Sequence, residues 1–351
     1  MIDPTLKTSD FDFDLPRELI ASHPLPERDA SRMLVVQGDE LHDKHIRDFL
    51  DFLQPGDVVV FNNSRVIPAR FIADGNREIT LHTSAPDGCW WGLCPKYNTL
   101  RPGRLLRLED DTLVGVVSIR EGAGLKLKFL TDDVMACLER VGKMPLPPYM
   151  KREEELADRE RYQTVYAYAP GSMAAPTAGL HFTPELIEEI KKRGAKVVKI
   201  TLHVGAGTWM GVRSEKIADH KMHSEWGRIT QKHADIINNA KRVIAVGTTS
   251  TRLLETAARC KHGNNPGKRK YKRVAPFMGK TRIFITPGFK FKAVDVMLTN
   301  FHLPKSTLFM LVSAFAGMDQ MKAAYSHAVA EKYRFFSYGD CCLLFKKTEG
   351  V

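Results

Sequence analysis

The sequence predicts an α/β protein, a mostly parallel sheet covered by helices on both faces and interrupted by a small β-barrel. Three observations predict it. From residue 183 onward strand patterns alternate with helix patterns, the signature of strands linked by crossover helices. Between about 77 and 130 short β-patterned runs follow one another with turn residues between them, as in a small barrel. One further strand pattern, GDVVVFNNSRVIPARF (56–71), precedes that stretch, so the barrel reads as inserted. The expected division is 1–68 with 150–351 for the α/β domain and 69–149 for the barrel.

The barrel runs are Glu78 to His82, Arg104 to Glu109, Thr112 to Arg120 and Leu125 to Leu130. Pro86-Asp87-Gly88, Arg101-Pro102-Gly103 and Glu121-Gly122-Ala123-Gly124 punctuate them. In LKLKFL (125–130) leucine alternates with lysine, the pattern of a half-buried strand with a basic outer face. A helix over about 131–140 and the proline cluster Met144 to Tyr149 close the segment. Next, Thr183 offers a capping hydroxyl, Pro184 the first helical position and Glu185 a first-turn acid; the helix 184–193 stops at Gly194. KVVKITLHV (196–204) is a β-branched strand. Residues 243–246 are a strand running into Gly247-Thr248-Thr249-Ser250-Thr251 and an amphipathic helix. TRIFITPGFKFKAVDVMLTNFHLP (281–304) carries an apolar strand, a Pro-Gly turn and a second apolar run. YRFFSYGDCCLLF (333–345) ends the fold as a strand.

Bulk properties narrow the function classes. The 351-residue chain is 43% hydrophobic and 26% charged, enough for two cores and ordinary for a globular protein. No apolar run approaches the roughly 20 residues that span a bilayer. The acidic N-terminus lacks a basic-then-apolar leader pattern, so a cytoplasmic location is expected. Six cysteines with no CxxC, and no HExxH, predict reduced thiols and no metal; His220 and His223, three apart, are the nearest approach to a ligand pair. A monomer is expected because no large unexplained apolar stripe is visible. The net charge is +11, and residues 259–274, RCKHGNNPGKRKYKRV, hold much of it without one acid. That run reads equally as a solvated loop or as an arm for phosphates.

Polar residues gather where the strands end. One strand runs into His203-Val204-Gly205-Ala206-Gly207, another into Gly247-Thr248-Thr249, a third into Asn300-Phe301-His302. Ligands of open α/β sheets bind at the carboxyl ends of strands, where helix N-termini present free N–H groups and glycine admits a close approach. The segment VYAYAPGSMAAPTAGLHF (165–182) is poor core material and suits backbone contact with a ligand. Familiar nucleotide fingerprints are missing: Gly205 and Gly207 lack a third glycine at position 210, a Met, and no Walker pattern exists. His223 and Glu225 share one face of a strand, either as an acid–base pair or as an ordinary hydrogen-bonded pair. YRFFSYGD (333–340) interleaves aromatics with Arg, which suits stacked bases or a packed core.

Longer motifs carry a resemblance. They are LPRELIASHPLPERDASRML (15–34), FNNSRVIPARF (61–71), PLPPYM (145–150), RYQTVYA (161–167), GSMAAPTAGLHFT (171–183) and TLHVGAGTW (201–209). MHSE (222–225), RVIAVGTTSTRLLE (242–255), TNFHLPKSTLFMLVSAFAG (299–317) and YRFFSYGD complete them. With these the chain resembles the S-adenosylmethionine:tRNA ribosyltransferase-isomerase family of queuosine biosynthesis over nearly its whole length. The resemblance implies an inserted barrel of six strands. It implies transfer of the ribosyl unit of S-adenosylmethionine to 7-aminomethyl-7-deazaguanine at the wobble position of tRNA, with adenine and methionine leaving and epoxyqueuosine formed. S-adenosylmethionine is then consumed as donor, and no metal or redox cofactor is implied. Such chemistry needs a base and an acid, for which His203, His223 with Glu225, and His302 are the candidates. Ser172, Ala174, Thr177, Gly179, His181, Gly205, Gly207, Gly247, Thr248, Thr249 and Asn300 are candidates for substrate binding. Arg65, Lys305 and Arg334, with Lys268, Arg269, Lys270, Lys272 and Arg273 of the basic run, are candidates for tRNA contact.

Departures from the family pattern are Trp209 for Phe, Asn63-Ser64 for Asp-Thr, and the length of the basic run. Two other classes compete: a non-catalytic RNA-binding barrel protein, which has no need of histidines at several strand ends, and a methyltransferase, whose Gly-x-Gly-x-Gly turn is not found. The basic run is expected to meet tRNA phosphates without reading bases. Neutralising its lysines and arginines then flattens the salt dependence of tRNA binding by about 0.7 to 0.9 per lost contact; a slope left unchanged marks the run as a bystander.

Overall fold

The structure, a computed structural model, describes residues 3–85, 87–120, 124–205, 211–212, 214–260 and 271–347. The chain opens with a hairpin, β1 (Arg32–Gln37) and β2 (Glu40–His45), turned at Gly38 with φ of 61°. A wholly buried strand follows, β3 (Val58–Asn62), and then the short β4 (Ser64–Val66). Six antiparallel strands come next: β5 (Arg70–Ala73), β6 (Arg77–Ser84), β7 (Trp90–Leu93), β8 (Leu105–Arg107), β9 (Leu113–Arg120) and β10 (Gly124–Phe129). Their spatial order is β5-β6-β7-β10-β9-β8, and a bridge between Ala73 and Leu108 brings the last strand back to the first, nearly closing a barrel. Phe71, Ile79, Leu106, Val116 and Leu127 fill it, and Cys137 and Leu138 of α1 (Val134–Val141) plug it together with Met173. The chain enters and leaves side by side: Arg70 and Lys143 exchange backbone hydrogen bonds of 3.2 and 2.6 Å.

After the one-turn helix α2 (Asp158–Arg161), β11 (Ala169–Ser172) lies parallel to β4. Helix α3 (Pro184–Lys192) begins as expected, with the Thr183 hydroxyl accepting the Leu186 N–H at 3.1 Å. The remaining elements are β12 (Lys196–Leu202), β13 (Glu225–Ile229), α4 (Gln231–Asn238), β14 (Val243–Val246), α5 (Thr248–Ala257), β15 (Phe277–Thr281), β16 (Val296–Asn300), α6 (Thr307–Ala316), α7 (Met318–Ala330) and β17 (Cys341–Phe345). The main sheet runs β15-β13-β12-β3-β14-β16-β17-β1-β2. Pairs β3–β12, β3–β14, β14–β16 and β1–β17 are parallel; β1–β2, β12–β13, β13–β15 and β16–β17 are antiparallel. The sheet is therefore mixed and not mostly parallel: β2 returns on β1 as a hairpin, β13 and β15 run antiparallel at the other edge, and β17 comes back antiparallel to β16 after α6 and α7.

Residue alternation splits the core into two layers. Val58 and Val60 face Val198, Ile200 and Met297 under Leu253, Leu254 and Phe309 of α5 and α6. Val59 and Phe61 face the other way, with Ile244, Val246 and Leu298, under Ile187 and Ile190 of α3. Helices thus cover both faces.

Three local expectations are corrected. The apolar run 282–285 is not a strand: the Thr281 hydroxyl takes the Ile283 N–H at 3.2 Å and turns the chain out of the ladder, leaving β15 one step earlier. Residues 333–340 are not a strand either. Asp340 accepts the backbone N–H groups of Arg32 and Arg334 at 2.9 and 2.8 Å, and Phe336 sits at a φ of 73°, so the strand starts at Cys341. Helix α1 begins later than expected, where Asp133 caps the Ala136 N–H.

One side chain holds the junction between sheet and barrel. Past Asn62 the backbone leaves β12 for β4, and the Asn62 amide takes over the ladder. Its Nδ2 donates to the Leu202 carbonyl at 2.9 Å and its Oδ1 accepts the Leu202 N–H at 3.0 Å and the Ser64 N–H at 3.2 Å. Beside it the Asn63 Oδ1 accepts from the Thr201 hydroxyl at 2.7 Å. Asn62→Ala leaves a buried peptide unpaired on both sides, at a cost of about 2 to 4 kcal/mol; a fall of that size in urea-unfolding free energy checks it, and a neutral result rejects the role.

Candidate active site

Two clefts meet at Val204, just past the carboxyl end of β12. The narrower, of about 90 Å³, lies where β14 and β16 end and is lined by Ala174, Thr177, Gly247, Thr248, Thr249, Asn300 and His302, among others. The wider, of about 530 Å³, opens between barrel and sheet; His82, Trp90, Gly171, His203, Glu225 and Trp226 line it. Only the wider lies within the roughly 300 to 1,000 Å³ of ordinary ligand sites, so the narrower admits part of a ligand.

The narrow cleft is built on a helix start. Gly247, at φ of 89°, precedes α5, whose first N–H groups receive no side-chain cap. The orphan donors face the strand end, a favourable place for partial negative charge. The Thr249 hydroxyl and the Asn300 Oδ1 are buried with no hydrogen-bond partner among the described residues. The Asn300 amide is fixed from behind: its Nδ2 lies 3.1 Å from His181 Nε2 and donates to the Phe336 carbonyl at 3.1 Å. His181 Nδ1 in turn meets the Ser31 hydroxyl at 2.9 Å, so this histidine backs the wall. His302 is also buried, with Nε2 3.1 Å from the Thr299 hydroxyl. Burial pulls its pKa down to about 3 and that of His181, with Arg334 and Arg28 adding repulsion, to about 4; both are neutral near pH 7.

Two candidates prove to be internal supports. The Ser172 hydroxyl donates to the Ala174 carbonyl and accepts the Val204 N–H, both at 2.8 Å, which ties the segment to the end of β12. At Gly179 an added Cβ lies 2.0 Å from the Tyr166 hydroxyl oxygen, so this glycine serves packing.

In the wide cleft His203 is held on three sides. Its Nδ1 meets the Ser64 hydroxyl at 2.7 Å, its ring stacks on Trp226 with centroids 5.4 Å apart, and a Cβ on Gly171, whose φ is 135°, would come within 3.2 Å of it. Burial lowers its pKa, which favours the neutral ring a base requires. Glu225 forms a buried ion pair with Arg252 and accepts the Gly205 N–H at 3.3 Å. Arg252 Nε and Nη2 and the Ser224 hydroxyl stay unpartnered among the described residues.

The expected His223–Glu225 pair on one strand face is corrected: β13 begins at Glu225, and the carboxylate is already engaged by Arg252 and Gly205. His223 is exposed and lies outside the strand. Across the cleft His82, on β6, is close enough for His223 to lower its pKa, after burial as the larger cause. Sequence reasoning missed His82, since one His in a barrel strand has no signal of its own; only the closing of barrel on sheet brings it here.

The basic candidates separate. Lys272 is exposed, and Arg65 reaches Glu139 at 3.4 Å on the surface. Lys305 pairs with Asp12 at 2.7 Å. Arg273 is committed to Asp295 at 2.7 Å and to two backbone carbonyls, and Arg334 donates to the His23 carbonyl. Lys268, Arg269, Lys270, Gly207 and Trp209 lie outside the described residues. Among the described residues no three His, Cys, Asp or Glu side chains are grouped to hold a metal ion, and no helix is long and apolar enough to cross a membrane.

Comparison with known proteins places this geometry in context. Residues 8–344 match the family model described as queuosine biosynthesis protein. The chain is 47% identical over 343 residues to the S-adenosylmethionine:tRNA ribosyltransferase-isomerase of Rhodospirillum rubrum, covering 95% of this chain and 96% of that one. It is also similar to the crystal structure of the S-adenosylmethionine tRNA ribosyltransferase of Thermotoga maritima, with 34% identity, a TM-score of 0.54, and coverage of 95% of this chain and 99% of the other.

The two neutral histidines of the narrow cleft make stability pH-dependent. Each folded pKa lies below the ordinary 6.5, so the stabilisation is present above about 6.5 and lost as pH falls towards 4 for His181 and 3 for His302. Each contributes a slope of about 1.4 kcal/mol per pH unit within its window. Urea unfolding across that range should show His302→Gln flattening the acid limb; a limb as steep as wild type contradicts the assignment.

Proposed function

Because the chain belongs to the queuosine biosynthesis protein family, we propose that it transfers and isomerises the ribosyl unit of S-adenosylmethionine onto 7-aminomethyl-7-deazaguanine at the wobble position of tRNA. Adenine and methionine leave, and epoxyqueuosine remains in the tRNA. The chain acts as a cytoplasmic monomer, with residues 69–149 as an inserted barrel domain against an α/β body of 1–68 and 150–351.

The observation that carries this reading is the pair of neighbouring clefts that share Val204 as a wall, of about 90 and 530 Å³. A two-substrate reaction on a nucleoside donor and an extruded base needs two adjacent spaces, one walled by backbone and small residues and one with flat aromatic faces. Trp90 and Trp226 offer the second to a base taken out of its stack. The uncapped start of α5, with Thr249 and Asn300, offers the first to a polar end of the donor.

The sulfonium of the donor acidifies the adjacent ribose carbon. A base there starts elimination, adenine takes a proton as it leaves, and the acceptor amine attacks while neutral. His203 is the base in this reading: burial keeps it unprotonated, and Ser64 and Trp226 fix its ring. The Glu225–Arg252 pair positions Gly205 at the cleft floor and holds a cation where negative charge develops.

Incubation with S-adenosylmethionine and tRNA bearing the aminomethyl base should release adenine with a matching gain in tRNA mass. S-adenosylhomocysteine as product, or no adenine from folded protein, rejects the reading. His203→Ala should lower turnover by about 100-fold or more while leaving tRNA affinity near wild type; equal loss of both makes His203 structural.

A further inference from the structure

A third recess lies behind the narrow cleft, and nothing in the reaction above uses it. Arg28, Ser31, Arg161, His181 and Ser337 are among its lining residues; Ser337 also lines the narrow cleft, and His181 holds Asn300 of that cleft with its other ring nitrogen. Arg334 stands next to it, near enough to push the His181 pKa down. Three sequence motifs far apart in the chain, 15–34, 161–167 and 333–340, thus supply three guanidiniums to one place.

Their charge is only partly balanced: Glu160 acts on Arg28 and Asp340 on Arg334 through space. Among the described residues none of the three forms an ion pair. Arg28 donates to the carbonyls of Leu180 and Glu160 at 3.3 and 3.0 Å, Arg161 to those of Pro26 and Leu25 at 2.8 and 2.7 Å, and Arg334 to that of His23. Arg161 Nε and Arg334 Nη1 are buried with no hydrogen-bond partner among the described residues. Glu27, the acid at the rim, is turned to Arg47 at 2.8 Å, and Asp340 is occupied by two backbone N–H groups. Burial lowers the pKa of Arg28, with Arg161 as the next cause, and burial lowers that of Arg334. The Arg28 and Arg334 guanidiniums, partly desolvated and hydrogen-bonded to carbonyls, are poised for an oxyanion, which a guanidinium binds through its fixed N–H fork.

Size narrows the ligand. The recess offers about 20 Å³, room for about one or two oxygen-sized groups and none for a base or a nucleoside. We propose that it binds the non-bridging oxygens of a tRNA phosphodiester outside the substrate nucleotide, anchoring the strand on the far side of the wall from the narrow cleft. This rests on tRNA being the acceptor, as proposed above. The donor's carboxylate is the other oxyanion at hand, and the test separates the two.

Affinity for tRNA is measured across a salt series, and KM for S-adenosylmethionine is measured beside it. Arg28→Met should weaken tRNA binding about tenfold at low salt and make the slope of log K on log salt shallower by about 0.7. Arg28→Lys should keep the slope, and neither should move KM for the donor. A folded Arg28→Met protein with the wild-type slope overturns the proposal, as does a raised donor KM with tRNA binding intact. Wild-type protein gives an answer free of folding defects: phenylglyoxal labelling of Arg28 and Arg161, read by peptide mass spectrometry, should be slowed by tRNA and not by S-adenosylmethionine. Slowing by the donor alone, or by neither, also overturns it. Loss of adenine release by wild-type protein removes the tRNA reading itself and this site with it; an unchanged slope with adenine release intact removes only the site.

Discussion

The structure depends on how one strand leaves the sheet. A parallel strand that simply stops exposes the peptide groups of its neighbour, and a buried peptide without partners costs more than a single hydrogen bond returns. Here β3 must stop, because the chain has to depart for the barrel. The Asn62 amide resolves the conflict by offering Leu202 the donor and acceptor that the next peptide would have supplied. Everything beyond follows from that substitution of side chain for main chain. Ser64 comes to lie beside His203, β4 can receive β11, and the barrel is set down over the ends of β12 and β13.

Burial then decides which polar groups are fixed and which are available. Glu255 shows the fixed kind. Its carboxylate is fully buried, accepts the backbone N–H groups of Lys292, Ala293 and Val294 and pairs with Arg259 at 2.6 Å, so every lone pair is engaged and the approach to β16 is set. Glu225 is paired as well, but its partner Arg252 keeps two buried nitrogens without a hydrogen-bond partner among the described residues. The histidines divide in the same way. His181 has both ring nitrogens bonded inside the protein, whereas His203 has one bonded to Ser64 and a ring lying along the wide cleft. Position relative to the cleft, more than residue type, separates support from chemistry.

Much of this was legible in the sequence because it is local. Thr183 capping, the alternation of LKLKFL and the Gly247 turn depend on neighbours a few residues away. Leucines 125 and 127 duly point into the barrel while Lys128 is exposed. The strand ends that gather polar residues could also be read, since ladder and turn chemistry mark where a strand stops. What was not legible is contact across the fold. The edge hairpin of β1 and β2 hides because ELHDKH is polar enough to pass for a loop, and only the parallel register of β1 on β17, from Met33 on Cys341 to Val36 on Leu344, shows it to be part of the sheet. The assignment of Glu225 to Arg252, 27 residues away, competes with a nearer histidine that spacing alone favoured. Nothing in YRFFSYGD says that Asp340 will fold the run back on its own backbone.

Met173 sits in the core of the barrel although it lies beyond the last barrel strand in the chain. On one side of it Ser172 is clamped to Val204; on the other Ala174 forms part of the narrow cleft. The barrel is therefore leashed by its own filling to the floor that the two clefts share. Three consecutive residues thus serve barrel core, strand end and cleft wall at once, so no one of these parts is packed independently of the others.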